Sequence, residues 1–279
     1  MDGIIFIIYC CKMIGFLVKK TFFDLWDNMF RIAIVNLGFI VSISIPLFLP
    51  SLIPVPALSL LVLGAGIGWC FVYLAAAAFS IKEISDYKTF YIGDFLGNIR
   101  AAWPAGIFLG ALAILIWAMA WFFIPFYLEM NSLFGLFLAA VIFWTILFLL
   151  LSLQFYFSVR ARLDTKLFKA LKKCFILFFG NPGFSVFSFL LCIAIFVPSA
   201  LLAFLLPGPA GILLFLDEAL RLQLLKYDWL QANTETEAEQ NTGGSASKRR
   251  KIPWGLILAE EREKTGTRSL KNLIFPWKY

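Results

Sequence analysis

Four stretches of this chain contain no aspartate, glutamate, lysine or arginine: Ile32 to Ile81, Ala101 to Leu128, Met130 to Val159 and Cys174 to Leu216. A hydrocarbon layer about 30 Å thick takes about 20 helical residues to cross. The first and last stretches can each hold two passes and the middle ones a single pass, so the pattern predicts an all-α, polytopic transmembrane helix bundle of about six spans. Composition agrees. Of the 279 residues, 61% are hydrophobic and 15% charged, whereas a soluble domain carries roughly 25% charged residues.

The basic residues fall in alternate intervals. Lys12, Lys19, Lys20 and Arg31 precede the first span, and Lys82, Lys88 and Arg100 follow the second. Arg160, Arg162, Lys166, Lys169, Lys172 and Lys173 follow the fourth, and the remainder lie from Arg221 onward. The intervening connections, Ser51 to Pro56, Glu129 to Ser132 and Pro207 to Gly211, hold no lysine or arginine. The positive-inside rule reads those connections as the translocated face, with both termini on the cytoplasmic side of a cytoplasmic membrane. The net charge of +7 is then topological and attracts anionic lipid headgroups. Nucleic-acid binding is not expected, because no recognition motif accompanies the charge.

Three regions follow. Residues 1–31 read as an N-terminal interfacial segment. Gly3 to Val18 is apolar but short and interrupted by Lys12, without a signal-peptide cleavage site, so it reads as an interfacial or dispensable extension with Met13 as an alternative start. Thr21 to Arg31 places Asp24, Asp27, Asn28 and Arg31 on one face of an amphipathic helix. Residues 32–230 form the transmembrane helical domain. Its spans are expected near Ile32–Phe48, Ala57–Ile81, Ala101–Leu128, Leu133–Phe157 and Phe184–Leu206, with a sixth from Ala210. Gly64 with Gly68, and Gly106 with Gly110, are GxxxG pairs that let backbones approach. Trp26, Trp103, Trp121 and Trp229 fall near interfaces, while Trp117 and Trp144 are expected in the core.

Between spans four and five, Leu163, Leu167, Leu171, Cys174, Phe175 and Phe178 recur at helical spacing, with Lys166, Lys169, Lys172 and Lys173 on another face. That pattern predicts a helix lying flat on anionic lipid. Residues 231–279 read as a partly disordered cytoplasmic tail. Gln231 to Ser247 is too hydrophilic to fold alone. The basic run Lys248, Arg249, Arg250 and Lys251 and the apolar residues that follow, Trp254 to Trp277, suit docking on the membrane surface or contact with a protein partner.

Asp217, Glu218 and Arg221 are the sharpest polar feature. If the sixth helix starts at the outer boundary and descends about 1.5 Å per residue, they sit near mid-bilayer. Asp217 and Arg221, one turn apart, can pair on one face. Charges at that depth line a polar cavity by default, whereas a short helix would bring them to cytoplasmic headgroups. Catalytic signatures are absent: no phosphate-binding loop, no HExxH, no nucleophile elbow. Gly93-Asp94 and Tyr227-Asp228 match the paired aspartates of intramembrane proteases poorly. The five cysteines have no paired CxxC spacing and histidine is missing, so no metal site and no cofactor is expected.

The order Trp26-Asp27-Asn28, Asn36, Pro46, then Asp94-Phe95-Leu96-Gly97-Asn98-Ile99-Arg100, and a basic helix followed by Asn181-Pro182-Gly183, resembles the YesL-like family of uncharacterised bacterial membrane proteins. The likeness covers roughly residues 20 to 230. It departs at Leu47 to Val55, where that family is Thr/Gly-rich, and in the tail. The resemblance implies an accessory role in transport and carries over no catalytic residue. The expectation is therefore a non-enzymatic accessory or scaffold, with a small transporter or channel as the alternative.

Overall fold

The structure is a computed structural model that describes residues 2–88, 92–163, 166–240 and 253–265, with side chains for 13–88, 93–163, 166–232, 253–259 and 261–263. Every element among them is helical. The order is α1 (Asp2–Asp27), α2 (Met29–Phe48), a 3-10 turn (Leu49–Leu52), α3 (Pro56–Ser85) and α4 (Ile92–Ala118). A π-helical turn (Met119–Phe123) leads into α5 (Ile124–Glu129), followed by α6 (Leu133–Leu153), α7 (Tyr156–Leu163), α8 (Leu167–Gly180), α9 (Pro182–Leu201), α10 (Gly208–Gln240), α11 (Trp254–Ile257) and α12 (Ala259–Thr265). Two compact units form, one of residues 25–217 and one of residues 1–24 with 218–279.

The larger unit is a polytopic membrane bundle. Helical segments over Met29–Leu52, Pro56–Ser85, Gly93–Glu129, Leu133–Leu163 and Pro182–Leu201 are long and apolar enough to cross a bilayer. The expected sixth span does not join them, because α10 carries Asp217, Glu218, Arg221, Lys226 and Asp228 within its length. It also continues helically past Leu230 to Gln240.

α3 is the axis of this unit and packs on α2, α4 and α7. Small residues let it do so. Ala75, Ala76, Ala77 and Ala78 are buried, and a methyl added at Gly106 would run into the Val72 backbone, one at Gly110 into the Phe71 ring. The GxxxG of α4 is thus a packing seam. The pair Gly64 and Gly68 is not: a Cβ at either meets nothing, and Gly66 between them takes the contact, against Pro46. The Tyr73 hydroxyl donates to the Val35 carbonyl at 2.8 Å, occupying space that a side chain at Gly38 would fill.

Apolar side chains face outward along the membrane zone, as lipid requires. Trp117 and Trp144, expected in the core, are more than half exposed and belong to this lipid-facing surface. Trp117 stacks on Trp121 at 5.9 Å. The Ser132 hydroxyl accepts from the Gly135 amide at 3.0 Å and starts α6.

In the smaller unit Met13, Phe16, Leu17 and Phe23 are buried, as are Trp254 and Leu258. The N-terminal stretch is therefore packed from Met13 onward rather than a loose extension. Trp254 and Leu258 bury in protein, which differs from the lipid docking expected of the tail; Leu256 on α11 is widely exposed.

Candidate functional site

Asp217, Glu218 and Arg221 each find a different partner. In the larger unit the Arg162 guanidinium grips Asp217 with two bonds, Nε to Oδ1 at 2.9 Å and Nη2 to Oδ2. The same side chain donates from Nη1 to Asp86 Oδ1 at 2.9 Å and from Nη2 to Ser85 Oγ at 2.8 Å. Asp217 is 2% exposed. The planar fork of arginine suits this task, since its donors point in fixed directions at several acceptors. Lys82 adds a bond from Nζ to the Ala161 carbonyl at 3.0 Å, which locks α3 to α7.

In the smaller unit the Lys20 ammonium lies 2.6 Å from Asp24 Oδ2 and 3.2 Å from Glu218 Oε1. The Thr21 hydroxyl donates to Glu218 Oε2. Glu218 is 1% and Lys20 2% exposed. Burial pushes the Glu218 carboxyl well above the usual carboxylate range, with the Lys20 charge pulling the other way. Arg221 donates from Nη2 to Glu261 Oε1 at 2.6 Å, on the segment that carries Trp254 and Leu258.

The expected Asp217–Arg221 pair is therefore not how these charges are satisfied; Arg162 holds the first and Glu261 the second. Their place along the bundle is set by where α10 starts, beside Asn36, seven residues into α2, and not at the Phe48 end of that helix. The Asn36 amide, fully buried, donates to the carbonyls of Leu205 at 2.9 Å and Pro207 at 2.8 Å and accepts from the Ala210 amide at 2.9 Å. Gly208, at φ +64°, passes so close to Asn36 that no side chain would fit there. From that anchor α10 reaches Asp217 at the ends of α3 and α7, beside Ser85, Asp86 and Arg162. The carboxylate sits among the basic connections and not at the middle of the bundle.

Of the basic helix, Lys166, Lys169 and Lys172 are exposed and Lys173 half-buried. Ala170, Cys174 and Phe178 are buried one turn apart, and Phe168, Ile176 and Phe179 are exposed beside the lysines. Burial raises the Cys174 thiol to about 12, so it is a packing group and not a nucleophile. Lys248, Arg249, Arg250 and Lys251 lie outside the described residues.

Sequence reasoning placed Arg162 and Lys20 among topological charges and missed them as partners. The available signal was general: buried acids on α10 require cations from elsewhere, but Arg31, Lys82, Arg100, Arg160 and Lys173 border the charge-free runs more closely than Lys20 or Arg162, so position along the chain does not select the partners. One further group stands out. The Ser152, Tyr156 and Ser188 hydroxyls and Gln154 Oε1 are buried with no hydrogen-bond partner among the described residues. No cluster of three metal-ligating side chains occurs among the described residues. No protein family, characterised protein or solved structure matches this chain.

Proposed function

We propose that this integral membrane protein is a non-enzymatic accessory or scaffold for a transport or envelope process. The observation that carries the reading is the commitment of its buried charges to one another. Arg162 with Asp86 and Asp217, Lys20 with Asp24 and Glu218, and Arg221 with Glu261 join segments distant in sequence. Charges spent on holding helices together are unsuited to lining a path for a solute.

In this reading the side bearing Arg160, Arg162, Lys88 and α8 is cytoplasmic, since moving those charges across oil is costly. α8 meets anionic headgroups through Lys166, Lys169 and Lys172, and the segment beyond Gln240 with Lys248 to Lys251 offers a protein-contact surface. An accessory role in transport is what the resemblance to the YesL-like family implies. Purification in mild detergent tests the proposal: a stoichiometric partner, lost on deleting residues 241–279, is the expected result.

A small transporter is the second reading, favoured by the unpartnered hydroxyls of Ser152, Tyr156 and Ser188 between apolar helices. Solute flux in liposomes containing this chain alone, abolished by Tyr156→Phe with Ser188→Ala, would displace the scaffold reading.

A further inference from the structure

α9 is long and apolar enough to cross a membrane, but its two ends are pinned at the same height. At its start the Gln154 side chain donates to the Ser185 carbonyl at 2.8 Å, and Phe155 stacks on Phe184 with ring centroids 6.5 Å apart. At its end the Ser199 hydroxyl accepts from the Gly208 amide at 3.0 Å, in the turn that Asn36 holds.

Both anchors can be measured from Ser85. On α2, Ser42 meets Cys70 and Pro46 meets Gly66, which sets Asn36 opposite Ala76, about 13 Å above Ser85 at 1.5 Å per residue. On the other side the long Arg162 side chain reaches Ser85, and Gln154, eight residues earlier, stands about 12 Å above Arg162. Between Ser185 and Ser199 the helix is about 21 Å long, and anchors that differ in height by no more than a side chain's reach leave its rise along the bundle far short of that length. α9 runs across the bundle, from α6 and α7 to α2.

α8 is level too, about 9 Å farther from Ser85 than α9. Phe168 packs on Phe108 at 5.4 Å and Phe178 on Phe148 at 5.8 Å. Phe108 lies two residues beyond Gly106, which faces Val72, and so stands about 22 Å above Ser85; Phe148 stands about 21 Å above Arg162. The faces are sorted as a lipid surface demands. α9 buries Ser185, Ser188 and Ser199 against protein and exposes Val186, Leu190, Ile193, Phe196 and Val197. α8 sets exposed lysines beside exposed Phe168, Ile176 and Phe179. From Ala76 outward, α3 has twenty residues left before Pro56, about 30 Å, the thickness of a hydrocarbon core.

We infer that α8 and α9 both run across the bundle on its basic side, α8 the nearer to the bilayer centre with its lysines reaching back to the headgroups, that their partner is the anionic lipid leaflet on that side, and that the chain crosses the bilayer four times, through α2, α3, α4–α5 and α6. The side assignment rests on the orientation proposed above; the in-plane geometry does not. The turn at residues 202–207 then shares a side with α8 and lies opposite Asn131.

The test uses the full chain in sealed vesicles of phosphatidylethanolamine and phosphatidylglycerol, with native cysteines replaced by serine or alanine. Nitroxide labels at Val186→Cys and Val197→Cys are expected at equal depth, within about 5 Å, whereas a crossing helix separates them by about 16 Å. The larger separation would overturn the inference. An impermeant maleimide is expected to label Ala203→Cys from the same side as Lys172→Cys and opposite to Asn131→Cys. Labelling of Ala203→Cys from the Asn131 side would equally overturn it. If Lys172→Cys and Ala203→Cys both react from outside in intact cells, the orientation fails and the in-plane geometry stands.

Discussion

Asp217 and Glu218 are consecutive residues on one helix and nearly equally buried, yet the networks that receive them are built differently. Asp217 meets an arginine whose donors also reach Asp86 and Ser85, so one side chain ties together α3, α7 and α10. Glu218 meets a lysine shared with Asp24 and a threonine hydroxyl. The first network is fixed by direction, the second by charge balance. Burial raises both carboxyls against the pull of their cations; what differs is that a fork of fixed donors loses its function when any atom moves, whereas a lysine ammonium can be re-aimed.

Removal of Arg162 should therefore be the most damaging change. Arg162→Met leaves Asp217 and Asp86 without their shared cation, and a loss of about 3–5 kcal/mol is expected, the range for breaking a buried ion pair from one side. Thermal unfolding in detergent measures it, and Arg162→Lys should recover only part because a lysine cannot make the two-point grip. A melting point equal to wild type for Arg162→Met would erase the contrast between the two networks.

Lys20→Met should cost less, about 1–3 kcal/mol, and the cost should depend on pH. The folded-state pKa of Glu218 lies above its unfolded value, so the neutral form is favoured by folding and stability declines as pH rises through the raised range. Lys20 offsets that decline. The variant should accordingly approach wild-type stability in acid and fall away from it as the medium becomes alkaline; a deficit constant with pH would show that charge balance is not what Lys20 provides. Glu218→Gln should be milder again, about 1 kcal/mol, because the amide keeps the Thr21 contact and needs no counter-charge.

The smallest effect is expected at the Arg221–Glu261 pair: Glu261 is buried, but glutamine keeps an acceptor for Arg221, so Glu261→Gln should lower global stability by under about 1 kcal/mol. Its readout is local: limited proteolysis should cut within residues 253–265 faster than in wild type. Unchanged cleavage would mean that Trp254 and Leu258 hold the segment without the ion pair.

Much of this was legible from residue order. The charge-free runs gave the helical segments of α2, α3 and α6 within a few residues, since nothing but a helix satisfies its own backbone in oil, while α4 starts at Ile92, nine residues before the expected span. The acids at 217 and 218 were identifiable because carboxylates beside apolar runs are costly and require partners. Their partners were not, since pairing depends on which distant segment arrives there. Gly64 with Gly68 carries the same spacing as Gly106 with Gly110, yet only the second pair meets a neighbouring helix, at the Val72 backbone and the Phe71 ring. Trp117 and Trp144 show the same limit, because an aromatic ring is equally at home in core and in lipid.

The sequence by itself determined that this chain is helical, apolar along its spans and asymmetric in charge, because those properties follow from the cost of placing each residue in oil. Only the tertiary structure decided which helices pass through and which lie across, and which cation answers which acid. α9 is as apolar as a spanning helix, and its direction is set by Gln154 at one end and the Asn36 turn at the other. Transfer energies fix what a segment can tolerate; anchors from elsewhere in the chain fix where it goes.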